Sequence, residues 1–285
     1  MPRRPLIILV CLLTACHTPV GPETSERTGP SSIDGIERVH EVNPRLLTGS
    51  SPDAIGYRSL QTLGVEVVLS VDGPMPPVDL IHGLGMQSIH LPIGYDGVPP
   101  EAMRSLVRLA REKPVETLYV HCHQGRHRGP AVAAILSQIR GQGSAEDGTA
   151  VLVACGTDPD YEGLWEAVEE VVIPTGSWQD APLPASVEPA SLVRQMVTIQ
   201  ALRDRLDSTE ASSAENASIL LLLQDAFVEL KRRRDSVAPS RLDDWNDHLD
   251  RTITLLESLR SRPSFDASQR ALIDTRCDAC HTASW

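Results

Sequence analysis

The chain has 285 residues, a formal net charge of −12 and six cysteines. Its length is sufficient for two domains of ordinary size, each with its own hydrophobic core. Nucleic acid attracts proteins with an excess of Lys and Arg, so the acidic balance excludes a general nucleic-acid-binding function and we expect no such partner.

The N-terminus predicts an export signal over residues 1–15. Arg3 and Arg4 precede an apolar run that ends at Leu13 and is too short to cross a bilayer. The run closes on Cys16, and this ending resembles a bacterial lipoprotein signal, which implies cleavage before that cysteine and lipid on its sulfur. A plain signal peptide cut nearby is the alternative. Both interpretations predict a protein exported to the periplasmic side of a bacterial membrane, and the first makes the lipid anchor its only membrane contact.

The next part of the chain predicts a tether and then an α/β domain. Residues 16–35 are rich in Thr, Pro, Gly, Ser and Glu, and we expect them to be flexible. Residues 36–173 alternate between apolar runs and amphipathic stretches. We predict extended segments near 36–41, 46–48, 66–71, 87–91 and 116–121, and helices near 52–63, 100–112, 129–140, 145–155 and 161–172. This alternation is typical of an open, mostly parallel sheet flanked by helices.

The residues after the last extended segment predict a phosphate site. Cys122 follows the apolar run 117–121, and Arg128 stands six positions further on. A strand would deliver the sulfur to the sheet edge, and the following helix would point its positive N-terminus at the same place. Cys122 would then attack phosphorus as a thiolate while Arg128 holds two phosphate oxygens in its planar fork. We expect the loop to surround the anion, and we expect its two histidines to add positive charge rather than to bind a metal. The loop consists of His123, Gln124, Gly125, Arg126, His127 and Arg128.

This stretch resembles the His-Cys-x5-Arg signature of the cysteine-dependent tyrosine and dual-specificity phosphatases. The resemblance extends over about residues 36–140 and includes 46–52 and 63–69. It implies a phosphatase-like fold that hydrolyses phosphate monoesters of a phosphorylated substrate through a phosphocysteine intermediate. The family's general acid is an Asp on a loop upstream of the nucleophile. Asp96, in a loop bounded by Gly and Pro, is the candidate here, and a turn-forming or helix-capping Asp is the alternative.

One loop position departs from the family pattern. The family usually places Ser or Thr directly after the arginine, and its hydroxyl stabilises the cysteine sulfur as that sulfur leaves the intermediate. Here this position is Gly129. The resemblance therefore leaves two functions open: a phosphatase that hydrolyses its intermediate slowly, and a sensor that binds phosphate or sulfate without turnover.

Beyond a Pro-rich linker, residues 174–189, the sequence predicts helices only. Over residues 190–285, apolar side chains recur at helical spacing in three stretches. Their apolar residues are Leu192, Met196, Ile199, Leu202 and Leu206, then Ile219, Leu223, Ala226 and Leu230, then Leu242, Trp245, Leu249, Ile253 and Leu256. With residues 267–282 these stretches predict an all-α four-helix bundle.

The last predicted helix carries a Cys-x-x-Cys-His string, the attachment motif of c-type haem. Positions i, i+3 and i+4 share one face of a helix, so two thiols and an imidazole can reach one porphyrin. The sequence thus predicts covalent haem c with thioethers at Cys277 and Cys280 and with His281 as the proximal iron ligand. A redox dithiol and half a zinc site are the alternatives, but the chain has no second cysteine pair and no strand before the motif.

Four helices with this motif on the last one resemble the cytochrome c′ type of bundle. That resemblance implies either an open distal face on the iron or a Met from the first helix, for which Met196 is the candidate; a core-filling Met is the alternative. The sequence as a whole predicts an exported phosphatase with a haem domain. A further alternative is an electron carrier or gas-binding protein, served by a periplasmic redox partner, in which the phosphatase fold is a scaffold.

Overall fold

The computed structural model describes residues 31–189, 191–208, 213–233, 239–262 and 265–282. Within these ranges an α/β domain with a mixed sheet is followed by a helical region. The predicted signal, the lipidation candidate Cys16 and most of the tether lie outside the described residues. None of the helices within these ranges combines the length and the apolar character needed to span a bilayer.

A mixed sheet forms the centre of the α/β domain. Its six strands within the described ranges are β1 (Ser31–Ile33), β2 (Ile36–Asn43), β3 (Leu46–Gly49), β4 (Val67–Ser70), β5 (Gln87–His90) and β6 (Leu118–His121). They lie in the order β1-β2-β3-β6-β4-β5, with antiparallel pairing among the first three and parallel pairing among the last four. Every residue of β4 and β6 is buried, as expected for parallel strands covered on both faces.

Helices cover both faces of this sheet. In the described part of the domain they are α1 (Ala54–Thr62), α2 (Val78–Gly83), α3 (Pro100–Glu112), α4 (Arg128–Ile139), α5 (Ala145–Cys155) and α6 (Glu162–Glu169). The predicted strands and helices all lie within a few residues of their expected positions. The sequence pattern does not predict β1 and α2, because three and six residues are too few to establish a period.

Helix α4 is the centre of the domain's larger core. Its first ten residues, 128–137, are all buried, and apart from Arg128 and Ser137 they are small or apolar residues on every face of the helix. It packs against α3, α5 and α6 as well as against three strands. A loop that joins β6 to α4 is therefore held between a fully buried strand and the buried start of a helix, and its ends have little freedom to move.

The Pro-rich segment 174–189 lies along the outer edge of β5. The backbone N–H of His90 donates to the carbonyl of Pro184 at 2.8 Å, and the Ser88 hydroxyl donates to that of Ala185 at 3.0 Å. The N–H of Val187 donates to His90 Nδ1 at 2.9 Å, and His90 Nε2 bonds to the carbonyl of Asp72 at 2.8 Å. The predicted linker is thus part of the α/β domain and reaches the end of β4 through one histidine.

The helical region consists, in its described ranges, of four long helices and a short 3-10 helix. The long helices are α7 (Leu192–Ser208), α8 (Ser213–Lys231), α9 (Leu242–Arg260) and α10 (Ala267–Thr282), and the 3-10 helix is Pro239–Arg241. They share one apolar core, to which α8 and α9 contribute most of the residues. Leu221 of α8 points the other way and is buried in the core of the α/β domain. The two regions are therefore packed together, with α8 between them.

Candidate active site

The candidate site lies where three neighbouring parallel strands end. β3 ends just after Thr48, β6 ends just before Cys122, and β4 ends two residues before Asp72. The carboxyl ends of parallel strands meet at one edge of a sheet, where α/β folds usually bind ligands. The structure therefore places the predicted nucleophile at the central strand, with one polar residue from each neighbouring strand beside it.

The loop between β6 and α4 is braced by the chain that follows β3. The N–H of Ser51 donates to the carbonyl of His123 at 2.9 Å, and Ser50 and Gln124 form an isolated bridge. Gly125 has a φ of +67°, and a Cβ on it would lie 2.3 Å from the backbone of Gly49. Only glycine satisfies both the positive φ and this close backbone approach. The loop is thus fixed by backbone contacts before any ligand binds.

The start of α4 is open to an anion. The residue before the helix, His127, provides no side-chain cap, so the N–H groups of Arg128 and Gly129 have no capping partner from it. The third helical residue is Pro130, which has no N–H to satisfy. Free N–H groups and the helix dipole together favour negative charge at this point. Cys122, which is 3% exposed, is buried at the start of the turn that leads to this helix end, although His123, Gln124 and Arg126 of that turn are exposed.

The guanidinium of Arg128 is buried and both of its terminal nitrogens are engaged, with Nη1 donating to the carbonyl of Ile93 at 3.4 Å. Its Nη2 donates to Asp72 at 3.1 Å, to the Tyr95 hydroxyl at 2.9 Å and to Glu229 at 2.9 Å. The guanidinium carbon also stacks on the Tyr95 ring, 4.1 Å from its centroid. Its Nε–H is buried without a hydrogen-bond partner among the described residues. A buried, charged N–H with no partner is costly, and an oxyanion would satisfy it.

A four-charge network joins the two regions over the loop. Asp72 and Glu229 alternate with Arg128 and Arg232, whose guanidinium donates to Asp72 at 2.7 and 2.9 Å and to Glu229 at 3.0 Å. Burial alone would raise the pKa of Asp72, but hydrogen bonds from Arg232 and the charge of Arg128 outweigh it and hold that pKa at about 2. The Asp72 carboxylate is therefore ionised at neutral pH, and together with Glu229 it holds the two arginines in place.

One turn earlier on α8, Asp225 also faces the loop. It accepts a hydrogen bond from the Tyr161 hydroxyl at 2.6 Å, and the Tyr161 ring stacks on that of Tyr95 at 5.0 Å. Burial raises the pKa of Asp225 to about 7, against the opposing effects of the Tyr161 hydrogen bond and the Arg128 charge. A carboxyl group with this pKa can hold or release a proton at neutral pH, which suits acid–base chemistry.

Two cavities lie between the loop and the helical region. The first has a volume of about 610 Å³ and combines the Arg128 and Tyr95 side of the loop with α7 and α8; the second, about 450 Å³, lies over the other loop side chains. Asp225 and Glu229 line both, so α8 divides the space above the loop. Asp96 lines the first cavity together with Arg128 and its side chain is exposed. The predicted acid is therefore in the same cavity as the predicted anion-binding arginine.

The loop histidines do not add the positive charge that the sequence predicts. Burial, with Arg126 adding to it, lowers the pKa of His127 to about 4, and its Nδ1 accepts a hydrogen bond from the N–H of Asp158 at 3.3 Å. Burial also lowers the pKa of His123, and burial lowers that of His121 to about 4. These rings are neutral at pH 7, so the positive charge at the loop comes from arginine and from the helix N-terminus.

The haem-motif cysteines lie on one face of α10. Cys277 is buried in the core of the helical region, and Cys280 packs against the same core, as does Met196 of α7. His281 belongs to α10, but its side chain lies outside the described residues. No cluster of three potential metal-binding side chains occurs among the residues that the structure describes. The structure thus places the two thiols and Met196 on one core and leaves the iron ligands as a prediction.

Sequence reasoning missed the polar residues that α8 brings to the loop. Asp225 and Glu229 lie four residues apart on one face of the leucine-rich α8, and Arg232 directly follows the last residue of that helix, three positions after Glu229. That charged stripe, opposite the apolar one, is the signal that could have identified them. Asp72 carries no local signal, because its role depends on partners 56 and 160 positions away.

No protein-family model matches the chain, and no curated protein matches it. Among solved structures it is similar to a candidate phosphatase (DUF442) from Shewanella putrefaciens CN-32, with 20% identity and a TM-score of 0.41, over 47% of this chain and 90% of that one. It is similar to P. aeruginosa TpbA in complex with pTyr, with 18% identity and a TM-score of 0.40, over 51% of this chain and 98% of that one. It is also similar to Tk-PTP in the active form, with 15% identity and a TM-score of 0.38, over 47% of this chain and 97% of that one. The geometry of the loop, and not these similarities, carries the functional conclusion.

Proposed function

We propose that this protein hydrolyses phosphate monoesters through a phosphocysteine intermediate on Cys122. The observation that supports the proposal is the unpartnered, buried Nε–H of Arg128 at the uncapped start of α4. A phosphate group would satisfy that N–H and the uncapped N–H groups at the start of α4 at once. The sulfur of Cys122 stands at the end of the central strand, beside the same helix end, as a nucleophile for the bound phosphorus requires.

The reaction has two steps. In the first, the thiolate of Cys122 attacks phosphorus, the bond from phosphorus to the leaving oxygen breaks, and Asp96 gives that oxygen its proton. In the second, water attacks phosphorus and gives a proton to the Asp96 carboxylate, and the phosphorus–sulfur bond breaks with its electron pair going to sulfur. Asp225 is a second proton donor to be compared with Asp96, since it faces the same cavity.

The helical region limits the substrate to one that fits between the two regions. The first cavity has apolar walls from both of them, including Met75, Ile93 and Leu222, and ends on Arg128. We propose that it holds the organic part of a small phosphate monoester. Glu229, which now bonds to Arg128, would lose that bond to the phosphate, because a dianion is the stronger partner for the same guanidinium.

The test is a pre-steady-state assay of the full chain with 4-nitrophenyl phosphate. We expect release of nitrophenol and a phosphate adduct on Cys122 that mass spectrometry detects after acid quenching. Cys122→Ser should remove both. Cys155→Ser is the matched control, since burial raises the pKa of that thiol to about 12 and it takes no part in the site. No adduct and no product from the wild type would refute the proposal.

Gly129 favours a second candidate function, a phosphate sensor without turnover. A loop that forms the anion site but cannot expel the sulfur would bind phosphate and stop. Titration of inorganic phosphate by calorimetry, on the same sample as the kinetic assay, separates the two functions. Tight binding without any nitrophenol release would support the sensor.

For the helical region we propose covalent haem c on Cys277 and Cys280, with His281 as the proximal ligand. The shared core face of the two thiols, one helical turn apart, supports this, and Met196 on the same core is the candidate distal ligand. Haem would give the region redox or gas-binding chemistry. A redox partner outside the cytoplasm would then exchange electrons with it. Expression in a host that matures cytochromes c should give a haem-staining band on a denaturing gel. Cys277→Ala with Cys280→Ala should lose it, and a wild type without the band would refute the proposal.

We also propose that Cys16 carries the lipid anchor. Cys16→Ala should then release the protein from membranes, because its sulfur is the acceptor at the end of the predicted signal. Labelled fatty acid should enter the wild type and not the variant. A wild type without label would rule out the anchor.

A further inference from the structure

We infer that Thr48 supplies the hydroxyl that the loop lacks at Gly129. This residue belongs to β3 and not to the loop, so it stands apart from the motif in sequence. The inference rests on the proposed function, because it concerns the second chemical step. In that step Thr48 donates a hydrogen bond to the sulfur of Cys122 as phosphorus leaves it.

The position of Thr48 follows from the strand register. β3 pairs in parallel with β6, and Thr48 lies opposite Val120. Side chains two residues apart along a strand share a face, so Cys122, which follows directly after β6, lies on the face that Thr48 also occupies. The threonine is fully buried, with 0% of its surface exposed. It is therefore on the correct side of the sheet, on the strand next to the nucleophile.

The space around Gly129 connects the two positions. A Cβ built on Gly129 would lie 3.2 Å from Thr48 Oγ1 and 3.1 Å from the backbone nitrogen of Cys122. A serine at position 129 would thus place its side chain against the Thr48 hydroxyl and beside the backbone nitrogen of Cys122. The hydroxyl of Thr48 borders the space that the family's hydroxyl would fill, and the absence of a side chain at 129 leaves it room.

The Thr48 hydroxyl has no hydrogen-bond partner among the described residues. A buried hydroxyl without a partner lowers stability, and a methyl group of the same shape would avoid that cost. The sulfur that leaves phosphorus carries a full negative charge, as it does in the free thiolate, and is then a strong acceptor, whereas the sulfur bonded to phosphorus in the intermediate is a weak one. Thr48 keeps its proton and donates it in a hydrogen bond; the electron pair of the broken bond stays on sulfur, and the attacking water loses its proton to Asp96.

The experiment compares Thr48→Val with wild type in the pre-steady-state assay. A hydrogen bond to a charged group is worth roughly tenfold to a hundredfold in rate. We expect the decay of the Cys122 adduct to slow by about that factor, so that the adduct accumulates, while the first step is little changed. Thr48→Ser keeps the hydroxyl and should retain most of the decay rate. Thr252→Val is the matched control, a buried threonine on α9 whose hydroxyl bonds within its own helix.

Two further measurements separate this role from a structural one. Thr48→Val should melt at the same temperature as wild type or higher, because it removes an unpartnered hydroxyl. The pH at which iodoacetamide inactivates Cys122 at half its maximal rate should rise, because the thiolate loses a donor. Thr48→Ala combined with Gly129→Ser moves the hydroxyl to the family position and should restore most of the decay rate, since the smaller residue at 48 makes room for the serine.

The outcomes are distinct. A Thr48→Val adduct that decays at the wild-type rate would overturn the inference. So would a variant in which both steps slow and the melting temperature falls, because that pattern marks a structural residue. If the wild type itself forms neither adduct nor product, the proposed function fails first and the inference falls with it.

Discussion

The α/β domain and the helical region contribute to one site by different means. The α/β domain fixes the loop through its backbone. The loop lies between a buried strand and the buried start of α4, and its Gly125 lies against the backbone of Gly49. The helical region contributes side-chain charges from α8 and from Arg232 directly after it, which contact residues more than a hundred positions away. Backbone geometry is rigid and allows little variation, whereas charges on a helix face can be changed one at a time. We therefore expect substitutions in the loop to abolish function and substitutions on α8 to adjust it.

The largest expected loss, in stability and in function together, is that of Gly125→Ala. The new Cβ would meet the backbone of Gly49 at 2.3 Å in a residue whose φ is +67°. We expect a loss of about 3 kcal/mol or more in the free energy of unfolding, and loss of phosphate binding. Chemical denaturation and phosphate titration would measure these. Gly141→Ala is the control: its φ of +68° is nearly equal but nothing lies within 4 Å, so only about 1 kcal/mol should be lost. Equal losses in the two variants would contradict the backbone account.

Asp72→Asn tests how much the ion pairs of Asp72 stabilise the contact between the two regions. It removes the buried carboxylate that both Arg128 and Arg232 contact, and we expect a loss of about 3 kcal/mol in the free energy of unfolding. Because the folded pKa of Asp72 lies below the value for an unfolded chain, its stabilisation is present above about pH 4 and is lost as pH falls through about 2. Asp247→Asn, which breaks an exposed pair with Arg251, should cost less than about 0.5 kcal/mol. A small effect at 72 would show that the regions are held by apolar contacts alone.

Asp225→Asn should raise stability at neutral pH. The folded pKa of Asp225 is raised to about 7, so the unfolded chain ionises first, and wild type loses stability as pH rises from about 4 to about 7. The variant lacks this loss and should exceed wild type by up to roughly 4 kcal/mol above pH 7. Thermal denaturation across this range is the measurement, and Asp243→Asn on an exposed part of α9 is the control. Parallel stability curves for wild type and Asp225→Asn would disprove the raised pKa.

The two candidate acids differ in what their loss does to the reaction. If Asp96 is the proton donor, Asp96→Asn should slow hydrolysis of alkyl phosphates, which are poor leaving groups, about 100-fold and aryl phosphates much less. Asp225→Asn should then leave this ratio unchanged. The reverse result would assign the donor to the helical region. The measured quantity is the ratio of kcat/KM for alkyl and aryl substrates.

The smallest effect is expected for Glu229→Gln. Its carboxylate competes with phosphate for Arg128, so the neutral variant should bind inorganic phosphate several-fold more tightly, which corresponds to about 1 kcal/mol. Glu257→Gln on an exposed part of α9 should leave the affinity as it is. Competitive inhibition by phosphate gives the affinities. Weaker binding by Glu229→Gln would mean that the carboxylate supports the loop instead.

What the sequence could predict also differs between the two regions. The strands, the helices and the order Cys122 to Arg128 follow from local pattern, since periodicity and motif spacing need no knowledge of distant residues. Asp72 could not be predicted, because it matters only through partners brought near by the fold, whereas Glu229 is marked in the sequence only by the charged stripe on its helix. Thr48 is intermediate: its strand is predictable, but its nearness to Gly129 depends on the register between β3 and β6. The positive charge expected of the loop histidines was wrongly predicted, since burial is not visible in the motif.

The segment that lies along β5 has a consequence for how the chain matures. Its contacts with Ser88 and His90 span 97 positions, so the outer edge of the sheet stays open during synthesis until residues near 187 are available. An open edge is a template for pairing with other chains. The alternating α/β pattern of the sequence ends at residue 173. A shortened chain that stops there would keep that edge uncovered, and His90 Nδ1 would lose the hydrogen bond that it accepts from Val187. Such a chain should self-associate, and one that continues through residue 189 should not.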